Sequence, residues 1–366
     1  MARIRTSITG LALVGAIGLA GCSGAAGDAA GDEVTSADDL TGTVVMLLPN
    51  TTTTRFVEHD GPGFEKAMAE IAPNVKVDIQ NAEGDAAKQL TQIETAVNQG
   101  VDGIVLVTAD PLVSAAGLVR AGDADIPVIS YEHEALDGPV AYQLMFDPYR
   151  VGIAQGEYLR DHLPETDGPL QLARVYGNAG DNYTTEVQRG QDEVLTELFD
   201  SGEIEVVCED NAAGWDPANA QQLVEQCLTK TQNEVDAVLA SNDGTASGTI
   251  AALEGQDMAG TVPVFGGLDA NLEALKFVLE GKQEMTVFKN FPVMGAGAAE
   301  LMTDALMGVD DSELINSTFD NGFGEIPAAM FEVEAVDAES MGDIVDAGLY
   351  TKEEICEGVT ASGFCD

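Results

Sequence analysis

From about residue 43 onward, short apolar runs alternate with amphipathic stretches, and this alternation predicts the fold class. The first runs are "TVVMLLP", "VKVDIQ", "GIVLVT" and "PVISY", separated by stretches such as "GPGFEKAMAEIA" and "DAAKQLTQIETAVNQG". In the second stretch Leu90, Ile93 and Val97 recur at helical spacing. Strands that are apolar on both faces, separated by helices, build parallel sheets covered on both sides. The pattern restarts after residue 147 with "LQLARVYG", "EIEVVCED", "AVLASN" and "VPVFGG", and helices are expected near 184–200, 217–230 and 245–255. A last unit adds a helix near 271–280, the strand "EMTVFKN" and a helix near 293–307. The prediction is an α/β protein of two doubly wound parallel-sheet lobes joined by several crossings.

The first residues follow a different pattern. Arg3 and Arg5 precede the apolar run "ITGLALVGAIGLAGC", which ends in small residues. That order marks a secretory signal at 1–21, and the run is too short and too rich in Gly for a membrane span. Leu19-Ala20-Gly21-Cys22 resembles the bacterial lipobox, which makes Cys22 the expected lipidated N-terminus and 22–42 a flexible tether. The expected location is outside the cell's cytoplasm, anchored by lipid to the outer face of the cytoplasmic membrane.

Cysteine usage fits that compartment. Cys208, Cys227, Cys356 and Cys365 remain after Cys22, an even number in an oxidising environment. Local pairing, Cys208 with Cys227 and Cys356 with Cys365, is the expected choice among three connectivities. No spacing reads as a zinc site, and His59, His133 and His162 stand well apart, so neither a metal nor a cofactor is expected. The formal charge of −47 repels nucleic acid and anionic headgroups, leaving the lipid as the sole expected contact with a membrane.

In open α/β sheets ligands collect at the carboxyl ends of strands. Those ends carry Glu132 and His133, then Asp181, Asn182 and Tyr183, then Trp215, the chain's one tryptophan. Asn242 and Asp243, Asp269 and Lys289 follow, and Arg55 with Phe56 lies just past the first strand. Helix capping alone would account for an Asp or Asn such as Asp243 or Asp269. As a set, the carboxylates, carboxamides, two cations and one aromatic plate suit a small neutral polyhydroxylated ligand. Carboxylates accept from hydroxyls, Lys and Arg donate, and a sugar's C–H face lies on an indole.

The ordered motifs "NAEGDAAKQLTQIETAVNQGVDGIVLV", "GDNYTTEVQRGQ", "GWDPANA", "VLASNDGTASGTIAAL", "GGLDANLEALK", "EMTVFKN" and "NGFGEIPA" resemble the extracytoplasmic sugar-binding proteins of ABC importers. The resemblance spans roughly 43–350 and is nearest to the D-xylose-binding group, of the type I periplasmic binding protein kind. It implies two lobes closing about a three-crossing hinge, with 43–146 plus 269–315 as the first lobe and 147–268 plus 316–366 as the second. It implies that Trp215 stacks on a pyranose, and that Asp181 and Asn182 or Tyr183, with Asn242, Asp243, Asp269 and Lys289, bind hydroxyls. Arg55 and Phe56 match the family's Arg–aromatic pair. The implied partners are a monosaccharide, D-xylose first, and a membrane permease with its ATPase; the chain itself is expected to be a monomer.

One departure stands out. The xylose group reads Tyr-Asp-Arg where this chain has Tyr131-Glu132-His133, and His lacks the bidentate fork of Arg. Another aldopentose, a hexose or a polyol therefore remains open, as does presentation of the sugar to a membrane sensor. A glycosidase would need an acid–base carboxylate pair, and no nucleophile elbow, phosphate loop or metal cluster accompanies these acids. A sugar-responsive repressor is excluded by the secretion signal and the charge.

Overall fold

The computed structural model describes residues 36–309, 312–360 and 363–366. The expected signal at 1–21 and lipidation at Cys22 lie outside the described residues. The described end of the expected tether is folded: Ser36 caps a 3₁₀ turn at Ala37–Asp39, and Leu40 is buried.

The first lobe begins with five parallel strands, β1 (Gly42–Leu48), β2 (Val75–Asn81), β3 (Gly103–Leu106), β4 (Val128–Tyr131) and β5 (Tyr142–Phe146). Helices α1 (Gly61–Ile71), α2 (Ala86–Gln99) and α3 (Pro111–Asp123) connect the first four. Asp85 and Asp110 cap α2 and α3 by accepting two backbone N–H groups each. Side chains on β1 alternate between two cores, as strand pleating requires. Val44, Met46 and Leu48 join Phe64 and Met68 of α1 on one face, while Val45 and Leu47 join Ile93 and Leu118 on the other.

The chain then crosses to α4 (Pro148–Asp161) and a second sheet. Its strands β6 (Leu170–Tyr176), β7 (Ile204–Asn211), β8 (Ala237–Ala240) and β9 (Val264–Gly266) run parallel in the order β7-β6-β8-β9. Helices α5 (Asn182–Ser201), α6 (Pro217–Thr231) and α7 (Asp243–Glu254) connect them, and α8 (Leu272–Leu279) leads to β10 (Thr286–Lys289). From there α9 (Phe291–Met307) returns to pack on α1. Strands β11 (Ser317–Asp320) and β12 (Glu325–Phe331) complete the first sheet, in the order β11-β12-β5-β4-β3-β1-β2. Finally β13 (Val333–Val336) pairs antiparallel with β10.

The result is a two-lobed α/β fold whose chain passes between lobes at 146–148, 289–291 and 331–333. The last two crossings correct the expected boundaries at 268/269 and 315/316. β10 closes onto β13 in the second lobe, and β12 pairs with β5 in the first. Strands of four to seven residues with mixed burial carry too little periodic signal to announce which sheet they join. Both disulfides have the expected partners: Cys208 of β7 with Cys227 of α6, and Cys356 with Cys365, at Cα separations of 6.0 and 5.5 Å.

Candidate functional site

A narrow cavity of about 40 Å³ lies between the lobes, lined by twelve residues. Asn50, Thr53, Arg55, Phe56, Glu132 and His133 come from the first lobe, and Tyr183, Trp215, Asn242, Leu268, Asp269 and Lys289 from the second.

The first-lobe half is an ionic network. A π-helical turn at Phe56–Asp60 precedes α1, and its i→i+5 spacing brings Arg55 alongside Asp60. Arg55 donates through Nε and Nη2 to the two carboxylate oxygens of Asp60, both at 2.8 Å, and through Nη1 to Glu132 Oε1 at 2.9 Å. Tyr131 donates to Asp60 Oδ1 at 2.5 Å. The Arg55 guanidinium lies 4.0 Å from the Phe291 ring centroid. A planar fork bound on two edges and stacked on one face has no rotamer freedom left. His133 Nδ1 lies 3.0 Å from Thr108 O; a carbonyl only accepts, so Nδ1 carries a proton and donates it there.

The second-lobe half is set by backbone geometry and caps. Gly214 and Trp215 are both left-handed, at φ 66° and 57°. The Trp215 ring packs against Gly177, where a Cβ would stand 2.2 Å from the indole. Its Nε1 donates to Asp181 Oδ2 at 3.1 Å, and it meets Tyr183 edge to face at 6.3 Å. Asn242 caps α7 in a reciprocal box with Thr245. Asp269 has φ 98°, and Glu132 has φ 63°. Such backbone costs about 1–3 kcal/mol per residue and persists only where surroundings impose it, so its presence at three lining residues marks a functional place.

Two cations and three carboxylates meet in this interior: Arg55 and Lys289 with Asp60, Glu132 and Asp269. Lys289 bonds Glu132 and lies 3.0 Å from Asp269 Oδ1, joining the lobes. Burial alone would raise the Glu132 carboxyl; Lys289 and then Arg55 outweigh it and hold it at about 2. Asp269 Oδ1 is buried between the two cations, 3.0 Å from Lys289 Nζ and 3.5 Å from Arg55 Nη1.

The comparisons with known proteins follow the same geometry. Residues 44–310 match the model of the periplasmic binding protein domain. The D-xylose-binding periplasmic protein of Escherichia coli is 32% identical over 76% of this chain and 83% of its own length. The multiple sugar-binding periplasmic protein of Azospirillum brasilense is 32% identical over 85% of this chain and 90% of its own. The chain belongs to the periplasmic binding proteins. A solved ABC transporter solute-binding protein from Clostridium phytofermentans, with bound β-D-glucose, superposes with a TM-score of 0.76 at 29% identity, covering 86% of this chain and 99% of that one. Membership is in the sugar-binding, type I branch, and its role is extracytoplasmic binding and transport rather than catalysis.

Within this periplasmic binding protein, nine of the twelve expected ligand residues line the cavity. Asp181, Asn182 and Asp243 do not. Asp181 caps α5 through Oδ1 and holds the Trp215 indole through Oδ2, so both its oxygens are engaged. Asn182 donates across the cleft to Glu134 Oε1 at 2.7 Å. Asp243 is buried under donors from Thr286, Gln283 and the backbone of Leu268 and Asn271. Burial and then Asp269 push its carboxyl up to about 7 against those donors. Capping does not account for Asp269, because Asn271 occupies the N-cap position of α8.

Asn50, Thr53 and Leu268 line the cavity without having been singled out. Asn50 follows the end of β1, so the strand-end rule reaches it. Asp60 is different: it immediately precedes the expected helical stretch rather than a strand end, and only the π turn reveals its pairing with Arg55. Among the described residues, no group of three or more His, Cys, Asp or Glu is placed to hold a metal.

Proposed function

We propose that this protein captures D-xylose outside the cytoplasmic membrane and hands it to the permease and ATPase of an ABC importer. The reading rests on one pairing within a single cavity: the fixed Trp215 ring and the Asp269 carboxylate, both of which line it. A pyranose offers the complement of each, a C–H face and a hydroxyl. Arg55 and Lys289 donate to ring or hydroxyl oxygens, Glu132 and Asp269 accept, and Asn242 does both. Asp181 acts by orienting Trp215, and Asn182 by joining Glu134 across the cleft. The relatives named as D-xylose-binding, in Escherichia coli and Haemophilus influenzae, support xylose as the first candidate.

A sugar touching both lobes makes more contacts in the closed form than in the open one, and that difference shifts the population toward closure. Micromolar affinity corresponds to about −8 kcal/mol, which several charge-assisted hydrogen bonds and one stacked ring supply. The closed face then docks on the permease, with the protein a monomer tethered by lipid at Cys22.

His133 favours a second reading. Where the xylose-binding group carries Arg, the His133 ring is shorter, lacks the guanidinium fork and spends Nδ1 on Thr108 O, which suits a different arrangement of hydroxyls at that position. The deciding experiment titrates tryptophan fluorescence of the full mature chain, as Cys22→Ser, with D-xylose, D-glucose, L-arabinose, D-ribose and myo-inositol. The expected result is saturation at micromolar D-xylose and at least about tenfold weaker binding of the rest. Saturation by another sugar first moves the ligand to that sugar and identifies His133 as its discriminator. No response to any of the five rejects the site.

A further inference from the structure

One hydrogen bond between the lobes is made outside the cavity. Asn182 Nδ2 donates to Glu134 Oε1 at 2.7 Å, and neither residue lines the cavity. Glu134 belongs to the loop between β4 and β5 of the first lobe, and Asn182 opens α5 of the second. Arg55 with Asp269 and Lys289 with Glu132 also join the lobes, but all four of those residues line the cavity, where a ligand competes for them.

Both partners sit on fixed mounts. Ser130 Oγ donates to His133 O and accepts from Ala135 N, on either side of Glu134, and Asn321 Nδ2 donates to Ala135 O and Gly138 O. Asn182 is the first residue of α5, next to the Asp181 cap. The bond is therefore made or lost by movement of the lobes rather than by local rearrangement. Glu134 is 5% exposed, and among the described residues Asn182 is the one side chain that donates to its carboxylate. Burial pushes this carboxyl above its ordinary value against that donor. Residues 178–182 of the second lobe face Glu134 across one groove, so parting the lobes gives the carboxylate to water. Closing them without the Asn182 amide would bury it unsatisfied.

We propose that Asn182 and Glu134 form a latch that sets how tightly the closed form holds any sugar, without taking part in the choice among sugars. The latch rests on the sugar-binding reading above and separates two properties that cavity residues combine. A change at Trp215 or His133 moves affinity and selectivity together, whereas a change at the latch moves the closed population alone.

The test measures D-xylose and D-glucose binding by calorimetry on the full mature Cys22→Ser chain. It repeats both on Asn182→Asp, on Glu134→Gln and on the two changes combined. Aspartate suits the first turn of a helix, so α5 keeps its start, while in the closed form it sets carboxylate against carboxylate. Asn182→Asp is expected to weaken both sugars by about tenfold or more, and by the same factor within about twofold. Measured against Glu134→Gln alone, the same change is expected to cost less than about threefold, because the new amide donates to the new carboxylate. Unequal losses for the two sugars, no loss, or an equal loss in the Glu134→Gln background each overturn the latch and leave the sugar reading intact. Failure of the parent chain to bind either sugar rejects both as its ligands, and the latch with them.

Discussion

The two halves of the cavity are built by different physics. The first-lobe half is a buried ionic cluster, in which Arg55, Asp60 and Glu132 are each no more than 2% exposed and satisfy one another. The second-lobe half consists of strand-end loops, where left-handed backbone and helix caps hold Trp215, Tyr183 and Asn242. Charges removed from water are held by mutual pairing, and removal of one member leaves another uncompensated. Loop residues fixed by caps and turns have no such dependence on a partner. The first half should therefore couple binding to folding, and the second should let binding be removed with the fold retained.

The largest expected effect is on Asp60, which no cavity contact requires. Asp60→Ala removes two of the three side-chain hydrogen bonds that fix Arg55 and should cost about 3–5 kcal/mol of stability, the range for breaking a buried pair. Urea unfolding of the variant measures it, and a loss under about 1 kcal/mol would erase the distinction between the halves.

Trp215→Ala sharpens the other side. It should weaken sugar binding by about tenfold or more, equal to about 1.4 kcal/mol, while shifting the fold's stability by less than that. Calorimetry of binding and the urea midpoint together decide this. A stability loss far larger than the binding loss would mean the indole chiefly staples its loop.

The smallest effect is a pH dependence. The Glu132 carboxyl is held at about 2, below the ordinary value of 4.5. A lowered value in the folded state means the stabilisation is complete above the ordinary range and is lost as pH falls through about 2. Glu132→Gln lacks this dependence, so the stability gap between the parent and this variant should narrow on acidification from pH 5 toward pH 2. A gap that stays constant would show that Lys289 and Arg55 do not stabilise the charged form.

The same contrast decides what was legible in the chain. Second-lobe site residues sit at strand ends, followed by the cap and turn residues that helix starts require, so Trp215, Asn242 and Asp269 could be found from local pattern. Asp181 was found by the same rule and turned out to orient the indole, because an N-cap aspartate has one oxygen for the helix and another for a neighbour. Asp60 left no local sign: its role depends on a π turn and on Tyr131 from a strand 71 residues away in sequence. The positions of β10, β12 and β13 were equally hidden, since a short strand's choice of sheet depends on which open edge the rest of the fold presents.

The sequence by itself determined two α/β lobes, the disulfide pairs and a chemistry suited to a neutral polyol. These follow from hydrophobic period, from cysteine proximity along the chain and from the kinds of side chain at strand ends, all of which are local. Only the tertiary structure decided where the crossings fall and which carboxylates pair with which cations. Burial and charge compensation are properties of residues brought together from distant segments, and no local pattern carries them.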